Sequence, residues 1–341
     1  MNGPEDEMSS SRGTVGAVAI GRNEGERLRR CLASMEGKFD RVVYVDSGST
    51  DDSLEIAKAA NVEIVNLDLS IPFTAARARN AGFAQLAANC GLPEFVQFVD
   101  GDCALQPEWI DQARAAIEDD PSLGLVTGWR SEIYRDRSIY NALCDFEWRR
   151  PAGEIMTCGG DMLVRSAAFK AIGGFSDVVI AAEDDEFCVR LRQAGWRLMR
   201  LPIEMTRHDA AILHFSQWWQ RAVRSGHGFA QVGALHPEYF GRERFRVMLF
   251  GAVLPTIAAF GVVLALLAGT AWALLPLMVL GIYGLSYMRT VQGLWRNGLP
   301  IVEALAHGVF LSLSKFPNFV GIFTYWWRQF HGRKMEIIEY K

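Results

Sequence analysis

The chain has 341 residues, enough for one large domain or two smaller ones. Its net charge of −4 argues against a general nucleic-acid-binding protein, so no nucleic-acid partner is expected. Six scattered cysteines without CxxC spacing argue against a zinc site or a disulfide framework, and they indicate reduced thiols. Residues 1–14 are polar and lack a basic segment followed by an apolar one, which predicts a disordered tail and no signal peptide.

Short buried strands alternate with helices over the first hundred residues. Runs of β-branched and aromatic residues predict strands at residues 15–20, 42–45, 62–67 and 95–99. Helices are predicted between them, the first with Leu28, Cys31, Leu32 and Met35 on one face. Ser49 and Asp52 have the spacing of a capping box for the second helix. This alternation predicts a parallel α/β sheet with right-handed crossovers.

The fourth predicted strand runs directly into Asp100-Gly101-Asp102. In an open α/β sheet the ligand crevice lies outside the carboxyl ends of the strands. Two carboxylates at that place could share a hard cation such as Mg²⁺ or Mn²⁺. For this tripeptide alone, a solvated turn is the alternative.

The pattern continues with a helix at 107–117 and a strand at 123–127. Residues 128–158 read as irregular and rich in Trp, Tyr and Arg, which could line a sugar site or simply pack. Gly159-Gly160-Asp161 opens a strand at 162–165, and Glu183-Asp184-Asp185-Glu186 heads a helix that ends near residue 194. Acids in a first helical turn are also favoured by the helix dipole.

Taken together, these motifs resemble the family 2 glycosyltransferases over roughly residues 15–228. The resemblance rests on motifs in family order: Asn23-Glu24, Val45-Asp46-Ser47-Gly48-Ser49-Thr50-Asp51, Ala78-Arg79-Asn80-Ala81-Gly82, Asp100-Gly101-Asp102 as the DxD motif, Gly159-Gly160-Asp161-Met162, Gly173-Gly174-Phe175 and the run from Glu183 to Leu191. The family usually has Asn where this chain has Asp161. Its processive synthases carry Gln-x-x-Arg-Trp, which we do not find here, and this indicates transfer of single sugars.

The resemblance implies a GT-A-like, mostly parallel α/β domain and an inverting transfer from a nucleotide-diphosphate sugar. UDP is the favoured nucleotide, and GDP-mannose and dTDP sugars stay open. Asp184 is implied as the general base, and a divalent metal, Mg²⁺ or Mn²⁺, is implied on Asp100 and Asp102. The donor-binding set is Asn23, Glu24, Asp46, Arg77, Arg79, Asp100 and Asp102. The acceptor-binding set is Gly160, Asp161, Glu183, Arg221 and Arg224.

Four basic or imidazole side chains have open roles. His208 and His214 follow the last predicted strand, and either could add a metal ligand or be structural. Arg221 and Arg224 share one predicted helix face, where they could meet a phosphate or form a solvated basic surface near a membrane.

No residue between Arg246 and Arg289 is charged, a stretch about twice the roughly 20 residues that span a bilayer. Residues 247–268 and 271–288 therefore predict a transmembrane hairpin that turns at Gly269-Thr270. Basic residues outside both ends predict that both ends are cytoplasmic. Residues 301–323 place their polar side chains on one side, which predicts an interfacial helix that Pro317 kinks or ends.

The predicted domains are a tail (1–14), a catalytic domain (15–230), a basic linker (231–246), the hairpin (247–288) and an interfacial segment (289–341). We expect a cytoplasmic-membrane enzyme of cell-envelope glycan synthesis, with its site in the cytosol and a lipid, lipid-linked or membrane-proximal glycan acceptor. The alternatives are a sugar nucleotidyltransferase and an inactive membrane scaffold with a transferase-like domain.

Overall fold

The structure is a computed structural model, and it describes residues 13–88 and 91–339. Most of the predicted tail, residues 1–12, lies outside the described residues. The chain forms two compact units. The first runs to Ser131 and resumes over Arg149–Phe175 and Phe187–Asp209. The second comprises Glu132–Trp148, Ser176–Glu186 and the described chain from Ala210 onwards. The domain boundaries predicted above stay predictions.

The first unit is built on a sheet of nine strands in the described residues. The strands are β1 Val15–Gly21, β2 Arg41–Asp46, β3 Glu63–Asn66, β4 Phe95–Asp100, β5 Cys103–Leu105, β6 Leu123–Glu132, β7 Gly153–Glu154, β8 Met162–Arg165 and β9 Arg197–His208. Their order is β3-β2-β1-β4-β8-β6-β9-β5, with β7 on β9. Strands β3, β2, β1 and β4 are parallel, whereas β8 pairs antiparallel with β4 and β6. The predicted α/β class is confirmed, with its parallel strands in the first hundred residues.

Thirteen α-helices accompany these strands in the described chain. They are α1 Glu26–Met35, α2 Ser53–Ala59, α3 Ala75–Ala88, α4 Trp109–Asp119, α5 Ile139–Trp148, α6 Ser166–Ala171, α7 Glu183–Gln193, α8 Phe215–Leu235, α9 Gly241–Met248, α10 Leu254–Ala268, α11 Leu274–Arg296, α12 Ile301–Leu313 and α13 Lys315–Phe330. The predicted inner face of α1 is buried. The predicted capping box of α2 does not form, because the Ser49 hydroxyl binds Asp46 instead.

Alternate residues of the central strand β1 enter two different cores, because successive strand side chains point to opposite faces. Ala17 and Ala19 pack with residues of α1, α2 and α4. Val18 and Ile20 pack with residues of α3, α6 and α7. With both faces covered, β1 reads as a continuous buried run, and its carboxyl end is left as the open edge of the sheet.

The second unit contains a helix that the sequence pattern missed. Residues 128–158 were expected to be irregular, but β6 extends to Glu132 and α5 forms a helix. Tyr140 of α5 packs against Trp218 of α8 and Phe310 of α12, with ring centroids 6.3 and 5.1 Å apart. Of the two readings open for these aromatics, packing therefore accounts for Tyr140.

Within the described residues, two helices are long and apolar enough to cross a membrane, by length and composition. The first, Gly241–Ala268, comprises α9, a π-helical segment and α10. The second, Thr270–Arg296, comprises a 3₁₀ turn and α11. They are joined at Gly269, whose φ of 114° lies in a region that favours glycine. Large apolar side chains on them are exposed, including Leu266 and Leu267 at 81% each.

The third apolar stretch is interrupted at Ser314, between α12 and α13. The predicted effect of Pro317 is confirmed, because a proline ring clashes with the carbonyl four residues earlier, and α12 ends at Leu313. The polar side of this stretch is covered by its own unit. His307 and Asn318 are buried, and Glu303 binds Arg135.

Candidate active site

The turn Asp100-Gly101-Asp102, called the DGD turn below, lies at the carboxyl end of β4. The Gly101 amide donates to the carbonyl of Ile20 at 2.7 Å. A Cβ on Gly101 would lie 3.0 Å from the same carbonyl oxygen, so glycine allows the close approach of β1 and the turn. The turn then enters β5, which pairs with β9. Both carboxylates are therefore carried by backbone that is fixed on two sides.

Two guanidinium groups bind the carboxylate of Asp100. Arg79 Nη2 lies 2.7 Å from Asp100 Oδ1, and Arg130 Nη2 lies 3.4 Å from Oδ2. Burial alone would raise the pKa of Asp100, but Arg79 and Arg130 outweigh it and hold that pKa below its usual value. A Cβ on Gly160 would overlap the Arg79 guanidinium, so glycine there opens the route from Arg79 to Asp100.

Asp161 lies beneath this turn rather than at a surface. Its side chain is fully buried, and Oδ1 accepts a hydrogen bond from the Asp100 amide at 2.9 Å. Oδ2 lies 2.7 Å from Arg130 and 2.8 Å from the donating Thr206 hydroxyl. Burial opposes the charge of Arg130, but Asp161 and Asp100 raise the pKa of that guanidinium well above its usual range. Both oxygens of Asp161 are thus engaged within its own unit, and its acceptor-binding role stays a prediction.

Asp102 faces a histidine across the β5–β9 pairing. His208 Nε2 lies 3.1 Å from Asp102 Oδ2, and both side chains are less than a tenth exposed. The Asp209 amide donates to the Asp102 carbonyl at 3.2 Å. Of the two candidate histidines, the structure brings His208 to the DGD turn. His214 instead caps the start of α8 in the second unit.

The possible ligand atoms of Asp102, Cys103 and His208 lie within 4.8 Å of one another. Burial raises the pKa of the Cys103 thiol well above its usual value, and its sulfur lies 3.7 Å from Asp102 Oδ1. Carboxylate oxygens with an imidazole nitrogen form a donor set that suits divalent cations of the first transition row.

The turns after β1 and β2 are bonded to each other. Asn23 accepts a hydrogen bond from the Thr50 amide at 2.7 Å, and its own amide donates to the Ser49 hydroxyl at 2.9 Å. Asp46 is buried and accepts from the amides of Gly48 and Ser49 at 2.9 and 2.8 Å. Its other oxygen accepts from the Tyr44 hydroxyl at 3.1 Å. Asp46 thus shapes the turn at this edge of the sheet.

Two other predicted donor residues make local contacts. Glu24 pairs with Arg27 at 2.9 Å on the first turn of α1. Arg77 donates to the carbonyls of Ile71 and Pro72 at 2.9 and 2.8 Å and to that of Asp68 at 2.9 Å. Arg77 therefore fixes the loop between β3 and α3, whereas Arg79 is committed to Asp100.

The acids Glu183, Asp184, Asp185 and Glu186, called the acidic turn below, begin α7 in the second unit. Glu183 and Glu186 are buried, whereas Asp184 and Asp185 are half-buried. Asp184 Oδ1 accepts a hydrogen bond from the Asp185 amide at 3.0 Å, within the first turn of α7. Of the predicted acceptor residues, Glu183 lies here while Gly160 and Asp161 lie in the first unit.

The two arginines predicted on one face of α8 are both half-buried. Arg221 Nη1 lies 3.2 Å from Glu147 of α5, and both residues belong to the second unit. Arg224 lies one turn further along the same helix. The ion pair with Glu147 means that Arg221 is not simply part of a solvated basic surface.

Several contacts of these turns were not found from the sequence. Arg130 and Thr206 come from strands far from the DGD turn in the chain, and they stand in no motif. Their only signal is indirect: an aspartate where the family usually has asparagine implies a cation within reach. Tyr239 and His236, which contact the acidic turn, had no signal at all.

The first unit defines the chain as a GT-A-like α/β protein with the DGD turn at the end of a parallel strand. A solved mannosyltransferase from Pyrobaculum calidifontis, in complex with GDP-Man and Mn²⁺, matches 94% of this chain and 89% of its own. Its TM-score is 0.56 and its identity 16%. Residues 1–349 of S. aureus TarS match 94% of this chain and 92% of their own, with a TM-score of 0.50 and 17% identity.

Residues 18–172 match the glycosyl transferase family 2 sequence model, and residues 137–214 match the N-terminal domain of galactosyltransferase. A pre-mycofactocin glycosyltransferase of Mycobacterium tuberculosis is 27% identical over 69% of this chain and 51% of its own length. Glycosyltransferase AglE of Haloferax volcanii is 24% identical over 67% of this chain and 77% of its own. This chain thus spans about half the length of the mycobacterial relative. The chain belongs to the family 2 glycosyltransferases.

Proposed function

We propose that the chain is an inverting, metal-dependent glycosyltransferase that moves one sugar from a nucleotide-diphosphate sugar to a membrane-linked acceptor. UDP is the expected nucleotide, and the acceptor is a lipid, a lipid-linked intermediate or a membrane-proximal glycan. The observation that carries the proposal is the DGD turn at the end of β4, with His208 against Asp102 and two arginines on Asp100.

The residues at this turn fit a divalent metal. Asp102 and His208 offer an oxygen and a nitrogen 3.1 Å apart, and Asp100 offers a second carboxylate in the same turn. Because Arg79 and Arg130 already bind Asp100, we assign Asp102 and His208 as the stronger ligands and Asp100 as a supporting one. When bound, Mg²⁺ or Mn²⁺ would neutralise charge on the departing diphosphate.

The donor-side residues divide into two groups in this proposal. Asn23 and Asp46 shape neighbouring turns at the carboxyl ends of β1 and β2, which is where an α/β sheet binds its ligand. Arg77 supports the site through the loop after β3. Glu24 and Arg79 complete the set, Arg79 by compensating the charge of Asp100.

The chemistry requires one base and no covalent nucleophile. The acceptor hydroxyl attacks the anomeric carbon, the bond from that carbon to the diphosphate oxygen breaks, and Asp184 takes the hydroxyl proton. A single displacement inverts the anomeric configuration. Asp184 is assigned from the resemblance to the family's motif; it is half-buried, as is Asp185, whereas Glu183 and Glu186 are buried. Glu183, Gly160, Arg221 and Arg224 remain proposed on the acceptor side.

The membrane part of the proposal rests on the exposed apolar helices at Gly241–Ala268 and Thr270–Arg296. Reporters fused at either end of the chain should report the cytoplasm, and one inserted at Gly269 should report the opposite side of the cytoplasmic membrane. Exposed apolar residues such as Val302, Phe323 and Phe330 continue this surface onto α12 and α13. A cytoplasmic signal from Gly269 would rule out a spanning hairpin.

The proposal is tested by a thermal-shift screen of the purified chain with UDP, GDP and dTDP sugars, each with and without Mn²⁺. We expect one class of nucleotide sugar to stabilise the protein, and only when Mn²⁺ is present. Asp102→Asn should abolish the shift. Stabilisation by a nucleoside triphosphate with a sugar phosphate would instead identify a nucleotidyltransferase. A complete lack of response would favour an inactive scaffold.

A further inference from the structure

The acidic turn is bound by the segment that leads into the first apolar helix. The Tyr239 hydroxyl donates to Asp185 Oδ1 at 2.8 Å. His236 Nε2 lies 3.2 Å from Glu186 Oε1, and both of these side chains are mostly buried. Tyr239 and His236 stand between the end of α8 and the start of α9. Two of the four acids are therefore held by the chain just before Gly241.

Helix α8 also holds the backbone that precedes the acidic turn. Gln231 Nε2 donates to the carbonyl of Val178 at 2.7 Å, and its Oε1 accepts from the amide of Ile180 at 3.2 Å. One buried side chain thus bridges two main-chain groups of the same segment. A Cβ on Gly228 would lie 3.1 Å from the Ala181 carbonyl, so α8 approaches this backbone closely.

The backbone between these contacts is strained. Ala182, directly before the acidic turn, has a φ of 58°, in the left-handed region that residues other than glycine rarely adopt. Such a conformation is unfavourable and persists where surrounding contacts enforce it. Gln231 on one side and Tyr239 on the other are contacts of that kind.

Helix α8 is itself fixed to the C-terminal helices. A Cβ on Gly226 would overlap the backbone of Asn318 on α13, and one on Gly321 would overlap the Val223 carbonyl. The two helix backbones therefore touch directly, and small changes in one must move the other. Residues of α8, α9 and α13 also share one apolar cluster, which includes Ala230, Val247 and Ile322.

We propose that Gln231, His236 and Tyr239 are positioning residues, which place Asp184 for proton transfer by fixing the acidic turn to the helices at the membrane. The inference rests on the proposed role of Asp184 as the base. It adds that the apolar helices proposed above to lie in or at the membrane also set the geometry of catalysis. A displacement of about 1 Å in such a group can cost on the order of a hundredfold in rate.

The sharpest test is Tyr239→Phe in the full chain, because it removes one hydroxyl and keeps the ring that packs on Phe240. The matched control is Tyr287→Phe, which removes a hydroxyl that donates to the Leu305 carbonyl at 3.0 Å in the same unit. We expect kcat to fall about tenfold to a hundredfold in Tyr239→Phe, with an unchanged KM for the donor. Hydrogen exchange should become faster over residues 180–187. The control should change neither quantity.

A second variant, Gln231→Leu, should reproduce the same split between kcat and KM and the same exchange pattern. In a double variant, Tyr239→Phe should add little to Asp185→Ala, which removes the oxygen that accepts from the hydroxyl. Wild-type kcat in Tyr239→Phe, alongside an inactive Asp184→Asn, would overturn the inference and leave the base intact. An active Asp184→Asn would instead overturn the base assignment, and with it this inference.

Discussion

The DGD turn and the acidic turn carry similar residues but are stabilised differently. In the DGD turn, the stabilising contacts are ion pairs. Arg79 and Arg130 bind Asp100, and the buried Asp161 binds Arg130. In the acidic turn, a tyrosine hydroxyl contacts Asp185 and an imidazole contacts Glu186.

The different partners of the two turns suit them to different chemistry. The guanidinium groups of Arg79 and Arg130 lower the pKa of Asp100, and an ionised carboxylate suits a cation that in turn binds a diphosphate. A base must bind a proton during the reaction, and a neutral hydrogen-bond donor fixes its neighbours without a cation's strong opposition to protonation.

Asp184→Asn separates a base from a helix cap. Asn caps a helix nearly as well as Asp, so stability should change little. Transfer should fall by about 10²–10⁴-fold, because the amide has no useful basicity. Glu183→Gln and Asp185→Asn serve as neighbouring controls and should cost less. The measurement is the transfer rate on matched preparations, and an active Asp184→Asn enzyme would remove Asp184 from the mechanism.

Arg130→Met tests the ion pairs that stabilise the DGD turn. Removing one partner leaves Asp161 buried without its cation, which should lower the free energy of unfolding by about 3–5 kcal/mol. Adding Asp161→Asn should recover much of the loss, since Asn keeps an oxygen for the Asp100 amide without the charge. Arg197→Met is the matched control, because its ion pairs with Asp120 and Glu154 are exposed and should matter far less. Chemical denaturation in detergent measures all three.

A buried histidine of the second unit should make the stability of the fold depend on pH. His227 on α8 is fully buried, and its ring packs against Tyr325 with centroids 5.4 Å apart. Burial, with a smaller effect of Arg328, lowers the pKa of His227 to about 4. The unfolded chain binds this proton near pH 6.5, so stability should be complete above that pH and fall as pH drops towards 4. The loss should reach about 3 kcal/mol.

His227→Leu should flatten this dependence between pH 6.5 and 4, because it removes the titrating ring and keeps an apolar side chain. Thermal unfolding of both proteins across that pH range provides the measurement. A wild-type profile as flat as that of the variant would show that His227 is protonated as easily in the folded chain as in the unfolded one.

The sequence predicted the parts of this molecule that depend on local pattern. The buried runs before Asp46 and Asp100 predicted parallel strands, and parallel strands with acids at their ends imply a site at one edge. The charge-free run predicted the two long apolar helices. The sequence could not predict that Arg130 contacts Asp161, or that Tyr239 contacts Asp185, because those contacts depend on how distant elements pack.

Helix α5 is another feature that the sequence pattern could not predict. Its apolar positions are interrupted by polar and aromatic residues, and it is stabilised by the packing of Tyr140 on α8 and α12 rather than by its own periodicity. The contacts of Asp161 escaped prediction for a related reason. A motif shows that a residue matters, but whether it touches a ligand or supports one that does is decided by burial.

The central claim is that the DGD turn binds the donor with its metal while the acidic turn supplies the base. The most direct test measures binding of the preferred nucleoside diphosphate against Mn²⁺ concentration for wild type, Asp102→Asn and Asp184→Asn. We predict that Asp102→Asn loses the Mn²⁺-dependent part of the affinity and that Asp184→Asn binds like wild type. Full Mn²⁺-dependent binding by Asp102→Asn, or equal losses in both variants, would contradict the claim.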